Sequence, residues 1–208
     1  WVRGVWERGR VRTDGGERND LEVIWIQTPT LYADIRAVRS GALSTPGVSE
    51  EGFAGWLGVE GQVCRWHRPI DLKPGPEDAD QGAMFLDGKE MIEVGLFRNY
   101  LEEYRQTGTR EQYFAASRGT FTVESRKVRF ASEGALDILV AAGPFVTQAR
   151  RNGASSLRHG RYDANTGRVS FDLTVGDPSI FASGGGTWTV WTDDLPDHKE
   201  LLAAAETG

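Results

Sequence analysis

The stretch LEVIWIQTPTLYADIR at residues 21–36 decides the fold, because an apolar run, a proline turn and a second strand-like run follow one another within it. It is echoed at residues 136–151 as LDILVAAGPFVTQARR. A shift of 115 positions superimposes the two prolines, Pro29 and Pro144, together with most of the apolar positions. Two such runs predict that the chain contains a duplicated β-hairpin unit.

The bulk properties restrict the class of protein. The 208 residues are 39% hydrophobic and 10% aromatic, enough for one large β domain or two smaller ones. The formal charge of −6 disfavours a nucleic-acid or anionic-membrane surface, and no apolar run approaches the ~18 residues of a membrane span. Cys64 is the only cysteine, so we expect a reducing, cytoplasmic location. We expect no cofactor.

Short apolar stretches between glycines and prolines predict β-strands throughout the chain. In the first half they cover residues 2–12, 21–26, 32–37, 52–59, 62–70, 83–86 and 91–97. In the second half they cover residues 120–124, 126–130, 136–141, 145–150, 169–175 and 187–191, with a further strand that ends at Tyr162. The alanine-rich tail at residues 195–206 is typical of a helix, with Asp194 as its cap and Pro196 in its first turn.

The run NYLEEYR at residues 99–105 fits either a helix or a strand. We favour a strand, because Gly95 and Gly108 leave little room for a helix. Strand alternation places Tyr100, Glu102 and Tyr104 on one face.

Many short strands, the repeated unit and one terminal helix predict a mainly β fold with two antiparallel up-and-down barrels. The expected domains are residues 1–108 and residues 109–208, with the boundary near residues 106–112. A single large β-sandwich is the alternative. Barrels have no free edge strands, and they can enclose a ligand cavity.

The strand after the first proline carries candidate functional side chains. Alternation places Tyr32, Asp34 and Arg36 on one face. The 115-residue shift places Thr147 and Ala149 at the positions of Tyr32 and Asp34, so the second half lacks the acid and the phenol. This face either lines a cavity in the first barrel or is a solvated surface.

The segment CRWHRPID at residues 64–71 carries a second group. Cys64, Trp66, Arg68 and Ile70 are expected on one strand face, so Trp66 and Arg68 either form an aromatic–cation wall or are a core tryptophan beside an arginine that reaches solvent. His67 has a pKa suited to proton transfer, but a lone histidine is a weak metal signal.

Glu93 and Glu102 lie in apolar strands near tyrosines and arginines, where they would be proton-transfer groups or members of structural ion pairs. The candidate catalytic residues are therefore Asp34, Arg36, Asp71 and Glu93. The candidate ligand-binding residues are Trp25, Tyr32, Trp56, Trp66, His67, Arg68, Tyr100, Glu102 and Tyr104. No metal site is predicted.

An ordered set of short motifs resembles the HRI-type family of fungi and its bacterial relatives. The motifs are EVIWIQTPTLYADIR, GFAGWLG, CRWHRPID, DQGAM, EVG and YLEEYR, and they cover residues 1–105. The resemblance implies two calycin-like, that is lipocalin-like, β-barrel domains. It carries over no catalytic residue.

Three functions are compatible with these observations. The first is a small-molecule-binding protein that holds an apolar or amphipathic molecule in the N-terminal barrel. The second is a cofactor-independent lyase, isomerase or hydratase that works by acid–base chemistry in the same cavity. The third is a protein–protein adaptor with packed barrels, and a homodimer is also compatible with the sequence. Binding requires a cavity of about 300 Å3 or more, and catalysis requires an acid with a displaced pKa.

Overall fold

The chain is mainly β, with one short C-terminal helix. The computed structural model describes residues 2–42, 47–75, 80–108, 111–124, 127–182, 186–195 and 198–206. Helix α1 spans His198–Glu206, so the predicted tail helix is present, while the expected role of Pro196 lies outside the described residues. Across the described ranges, no helix combines the length and the apolar character needed to cross a bilayer.

The first half forms one closed antiparallel barrel of eight strands. In chain order the strands are β1 (Gly4–Thr13), with β2 (Gly16–Arg18) paired to its end, β3 (Leu21–Gln27), β4 (Tyr32–Val38), β5 (Glu51–Glu60), β6 (Val63–Asp71), β7 (Gln81–Asp87), β8 (Glu90–Gly95) and β9 (Tyr100–Gln106). The eight barrel strands are β1 and β3 to β9. Each of them pairs with the next, and β1 pairs with β9 to close the ring. The predicted N-terminal barrel is therefore confirmed, and NYLEEYR is a strand.

Alternation along these strands separates two apolar layers. Inward side chains form the barrel interior, with Trp6, Trp25, Trp66, Met84 and Met91 among its buried members. The intervening residues of β3 and β4 are also buried, because a second sheet covers that outer wall of the barrel. This is why β3 is apolar on both faces, a pattern typical of strands covered on both sides, whereas the inner face of β4 carries Asp34 and Arg36.

The second half forms a six-stranded antiparallel sheet and a separate hairpin. The sheet contains β10 (Tyr113–Gly119), β13 (Leu136–Ala142), β14 (Phe145–Asn152), β15 (Ala154–Asp163), β16 (Arg168–Gly176) and β17 (Thr189–Asp193), in the order β16-β15-β14-β13-β10-β17. Within the described residues no pairing of β16 with β17 closes it into a second barrel. The hairpin is β11 (Phe121–Glu124) and β12 (Lys127–Phe130). The prediction that these two strands belong to the main sheet is wrong, because within the described part of the chain β11 and β12 pair only with each other. The sequence pattern also missed β10.

The second sheet packs between the barrel and α1. One face carries Ile138, Val140 and Ala149 against the outer wall of the barrel, and the other face packs against Leu201 and Ala205 of the helix. A polar link crosses the interface, where Arg151 Nη1 donates to the Pro69 carbonyl at 2.6 Å. The barrel and the second sheet therefore share one continuous apolar core.

A β-bulge between β5 and β6 changes the alternation of β6. The register shifts between Ala54 and Trp56, and a Cβ on Gly55 would lie 1.9 Å from the His67 carbonyl oxygen, so only glycine fits this close approach. Beyond the bulge Ile70 faces the second sheet. The prediction that Ile70 shares a face with Trp66 and Arg68 is therefore wrong.

The strand register also corrects the 115-residue alignment. Asp34 lies inside the barrel whereas Ala149 faces the interface between the sheets, so that shift aligns opposite faces. A shift of 114 positions instead maps the pair Trp25–Asp34 onto Leu139–Gln148 and keeps the faces in correspondence. A one-residue slip exchanges the two faces of a strand.

Candidate functional site

The closed barrel contains a cavity of about 300 Å3, the expected lower size for a small-molecule site. Its aromatic lining is Trp25, Phe53, Trp66, Tyr100 and Tyr104. Its ionisable lining is Asp34, Arg36, Glu51, Arg68, Asp80, Glu93, Arg98 and Glu102. Arg98 and Asn99 are exposed, which places the mouth at the connection between β8 and β9.

One group of buried charges is balanced. Arg36 donates two hydrogen bonds to the Asp34 carboxylate, from Nε at 2.8 Å and from Nη2 at 3.2 Å. Its Nη1 lies 3.7 Å from Glu102, which also accepts hydrogen bonds from Arg8 and from the Tyr104 hydroxyl. Burial would raise the pKa of Glu102, but Arg36 and Arg8 hold that pKa below its ordinary value. Glu102 is therefore an ionised anchor.

Glu93 behaves in the opposite way. Burial and, to a smaller extent, the neighbouring Glu102 carboxylate raise the pKa of Glu93 to about 8. The Tyr100 hydroxyl donates to Glu93 Oε1 at 2.5 Å, and burial together with Glu93 raises the pKa of Tyr100 well above its ordinary value. Glu93 is therefore a buried carboxyl group of the cavity whose pKa lies near neutral pH.

A third group surrounds Arg68. Its guanidinium stacks over the Phe53 ring at 3.4 Å, is paired with Asp80, and lies 3.6 Å from Asp71. Burial raises the pKa of Asp80 and of Asp71, and Arg68 only partly offsets this effect. Two carboxyl groups therefore share one cation.

Nine of the residues predicted from the sequence line this cavity: Trp25, Asp34, Arg36, Trp66, Arg68, Glu93, Tyr100, Glu102 and Tyr104. Tyr32 is buried in the barrel interior, where its hydroxyl donates to the His67 carbonyl at 3.3 Å. Asp71 contacts the lining through Arg68. The alternation of side chains along β3, β4 and β9 was therefore enough to predict most of the residues that line the cavity.

Trp56 and His67 do not line the cavity. Their rings stack on each other at 3.4 Å, and Trp56 packs against the core between the two sheets. The expectation that both contact a ligand in the barrel is corrected, because alternation puts Trp56 on the outer face with Ala54, and His67 on the face opposite Trp66 and Arg68.

The sequence pattern missed Arg8, Phe53 and Asp80. Arg8 reaches Glu102 only because β1 pairs with β9, 94 residues further along the chain. Phe53 and Asp80 flank Arg68, and the DQGAM motif beginning at Asp80 was a signal for one of them. In the described ranges, no group of three or more His, Cys, Asp or Glu side chains is placed to hold a metal ion.

A solved structure with a similar fold is that of the uncharacterized protein YLR301w from Saccharomyces cerevisiae. The TM-score is 0.58, the sequence identity is 10%, and the match covers 88% of this chain and 89% of the yeast chain. At this identity the likeness concerns the fold alone. No protein-family model matches the chain, and no curated protein sequence matches it.

The helix-covered face of the second sheet carries a different cluster. Asp137 lies between Arg118 and Arg150, at 3.0 Å from Arg118 Nη2. Arg158 donates to Gln148 and has no carboxylate partner among the described residues. Burial lowers the pKa of Arg158 to about 10. This cluster has more guanidinium than carboxylate groups, the reverse of the barrel.

Proposed function

We propose that the protein binds a small molecule in the cavity of its N-terminal barrel. The observation that carries the proposal is the hollow of about 300 Å3 inside a closed barrel. An adaptor with a packed barrel would fill this space with its own side chains. The cavity is also lined by both aromatic rings and buried polar groups, the combination that gives small-molecule sites their affinity and orientation.

The polar lining distinguishes this cavity from a purely apolar one. Asp34, Arg36 and Glu102 hold one another in fixed positions, so they present a preorganised polar wall to an occupant. Trp25 and Trp66 meet edge to face, with ring centroids 6.1 Å apart, and form an apolar part of the lining. We therefore propose an amphipathic occupant with a polar end and an apolar or aromatic end.

A variant that fills the hollow tests the proposal. Val11 lines the cavity, so Val11→Trp would place an indole inside it. Ile92→Trp adds the same side chain to an exposed outer position and is the matched control. We expect fragments from a small-molecule library to shift backbone amide NMR signals of the barrel in the wild type and in Ile92→Trp, and not in Val11→Trp. Binding that survives Val11→Trp, or no binding at all, would refute a cavity site.

A second candidate function is acid–base catalysis, and Glu93 favours it. A carboxyl whose pKa is raised to about 8 can donate and accept a proton near neutral pH. Arg36 lies in the same cavity, where it would stabilise negative charge that develops on a substrate. A cofactor-independent lyase, isomerase or hydratase would use Glu93 to move a proton at carbon or oxygen.

Deuterium incorporation separates the enzyme from the binding protein. Carbonyl compounds and hydroxy acids would be incubated with the protein in D2O and examined by mass spectrometry. An acid–base enzyme incorporates deuterium at a position next to the carbonyl, and Glu93→Gln abolishes this exchange. Incorporation that is equal in the wild type and in Glu93→Gln would exclude the mechanism.

We further propose that the chain is a distant member of the HRI-type family, with calycin-like halves that arose by internal duplication. The ordered motifs in residues 1–105 support the family. The order β1-β3-β4-β5-β6 parallels β10-β13-β14-β15-β16, which supports the duplication. A second barrel would require a pairing that closes the second sheet. A cytoplasmic location is likewise a proposal, supported by the single cysteine, which is free and buried.

A further inference from the structure

The ionisable side chains in and around the barrel cavity do not balance. The count covers described residues that line the cavity or contact its lining and that are buried or half-buried. It includes three guanidinium groups, those of Arg8, Arg36 and Arg68. Against them stand six carboxyl groups, those of Asp34, Glu51, Asp71, Asp80, Glu93 and Glu102.

Every one of these guanidinium groups is already committed to a carboxylate. Arg8 is bound to Glu102, and Arg36 is bound to Asp34. Arg68 is paired with Asp80. Among the described side chains, Glu93 has a phenol as its hydrogen-bond donor and no cation within 4 Å. Asp71 shares Arg68 with Asp80, and Glu51 pairs with the exposed Lys73. Among these carboxyl groups, the one that no described cation reaches is Glu93.

The proton held by Glu93 is a consequence of this surplus. A buried carboxyl group without a cation keeps its proton, and the pKa of Glu93 is accordingly raised to about 8 by burial and by Glu102. An organic cation in the cavity would replace that proton and restore charge balance.

The walls of the cavity also suit a cation. Ring faces of tryptophan and tyrosine attract positive charge, and the Phe53 ring already holds the Arg68 guanidinium at 3.4 Å.

We infer that the occupant is a small organic ammonium compound whose ammonium group pairs with Glu93. This inference rests on the proposed binding function and specifies the class of ligand. The cavity is at the lower end of the range for small-molecule sites, so the ligand is a small amine with one ring or a short chain.

Three compounds that share one skeleton test the charge. Tyramine carries an ammonium group, tyrosol carries a hydroxyl at the same place, and 4-hydroxyphenylacetate carries a carboxylate. We expect calorimetric titration at pH 7 to give an affinity for tyramine about tenfold or more above that for tyrosol, as is typical of close charge pairs. The carboxylate should bind most weakly, because the surplus acids repel it.

Glu93→Gln tests the proposed partner of the ammonium group. We expect this variant to bind tyramine and tyrosol equally, while the affinity for tyrosol stays within about twofold of the wild type. Glu90→Gln is the matched control on the exposed face of the same strand, and it should bind like the wild type.

Proton release gives a readout that a merely structural role of Glu93 would not move. Glu93 is surrounded by Glu102 and Tyr100 of β9, Arg36 of β4, Asp80 ahead of β7 and Cys64 of β6. A carboxyl with a pKa of about 8 is ~90% protonated at pH 7. Titrations in buffers of different ionisation enthalpy should therefore show about 0.9 proton released when tyramine binds to the wild type, and none in Glu93→Gln.

The outcomes separate this inference from the binding function. Equal or tighter binding of tyrosol or 4-hydroxyphenylacetate, or no binding of tyramine, overturns the ammonium inference. If neutral or anionic fragments nevertheless occupy the barrel, the binding function stands and only the ligand class is wrong. If no fragment binds in the cavity, both are wrong.

Discussion

Replacing Glu93 by glutamine should change how the stability of the protein depends on pH. In the folded protein the pKa of Glu93 is about 8, whereas in the unfolded chain the same carboxyl titrates near 4.5. Between these pH values the folded state binds one more proton than the unfolded state, so raising the pH favours unfolding. The Glu93 contribution to the free energy of unfolding should fall by about 3 to 4 kcal/mol from pH 5 to pH 8.

Glutamine keeps an acceptor for the Tyr100 hydroxyl and cannot ionise. Urea unfolding of the wild type and of Glu93→Gln at pH 5, 6, 7, 8 and 9 therefore isolates this contribution as the difference between the two curves. We expect the free energy of unfolding of Glu93→Gln to rise relative to that of the wild type as the pH increases to 8, with little further change above pH 8. Glu90→Gln, an exposed position on the same strand, is the control. Parallel curves for the wild type and Glu93→Gln would refute the buried, cation-free assignment of Glu93.

Three further predictions concern packing and the second half. Gly55→Ala should lower the free energy of unfolding by about 3 kcal/mol or more, because its Cβ would lie 1.9 Å from the His67 carbonyl oxygen. Gly58→Ala on the same strand is the control. It should lower the free energy of unfolding much less, since its Cβ would have no contact under 3.5 Å. Asp137→Asn should lower the free energy of unfolding by about 3 to 5 kcal/mol in urea, because it removes the buried carboxylate that Arg118 and Arg150 share and leaves Arg118 only the exposed Glu206 at 3.7 Å. Burial raises the pKa of the Cys64 thiol to about 12, so a thiol reagent at pH 8 should react only as fast as the protein unfolds; rapid reaction of native protein would contradict its burial.

Much of the site was readable from strand alternation alone. Period two placed Asp34 with Arg36, and Tyr100 with Glu102, on common faces, and all four line the cavity. What alternation cannot give is the pairing of distant strands. The contact between Arg8 and Glu102 exists because β1 closes on β9, and no local signal links these two segments.

The errors have equally physical causes. A bulge adds one residue to one strand, so every position beyond it changes face. This is why Ile70 faces the second sheet, whereas His67, which precedes the bulge, faces away from the cavity by ordinary alternation with Trp66 and Arg68. The proposed repeat failed by one residue for a related reason, because apolar runs buried on both faces align equally well in either register, and only the pairing of Trp25 with Asp34 reveals the correct one.

The opposite charge surpluses of the two halves explain why the ligand site is assigned to the barrel. A buried guanidinium group can be accommodated by backbone carbonyls and ring faces, and both are present in the second half. Arg150 donates to the carbonyls of Ile180 and Phe181, and Arg158 stacks over the Phe171 ring at 4.0 Å. The second half therefore stabilises its excess cations without any occupant.

A buried carboxylate has no such alternative inside a closed barrel. It needs hydrogen-bond donors, and the backbone N–H groups of a closed barrel are used in pairing each strand with its neighbours. Glu93 must therefore hold a proton or face a cation that the chain itself does not supply. The hollow of about 300 Å3 lies beside this carboxyl, so the missing positive charge and the open space coincide. This coincidence is the reason why we propose that the cavity is a binding site rather than a packing defect.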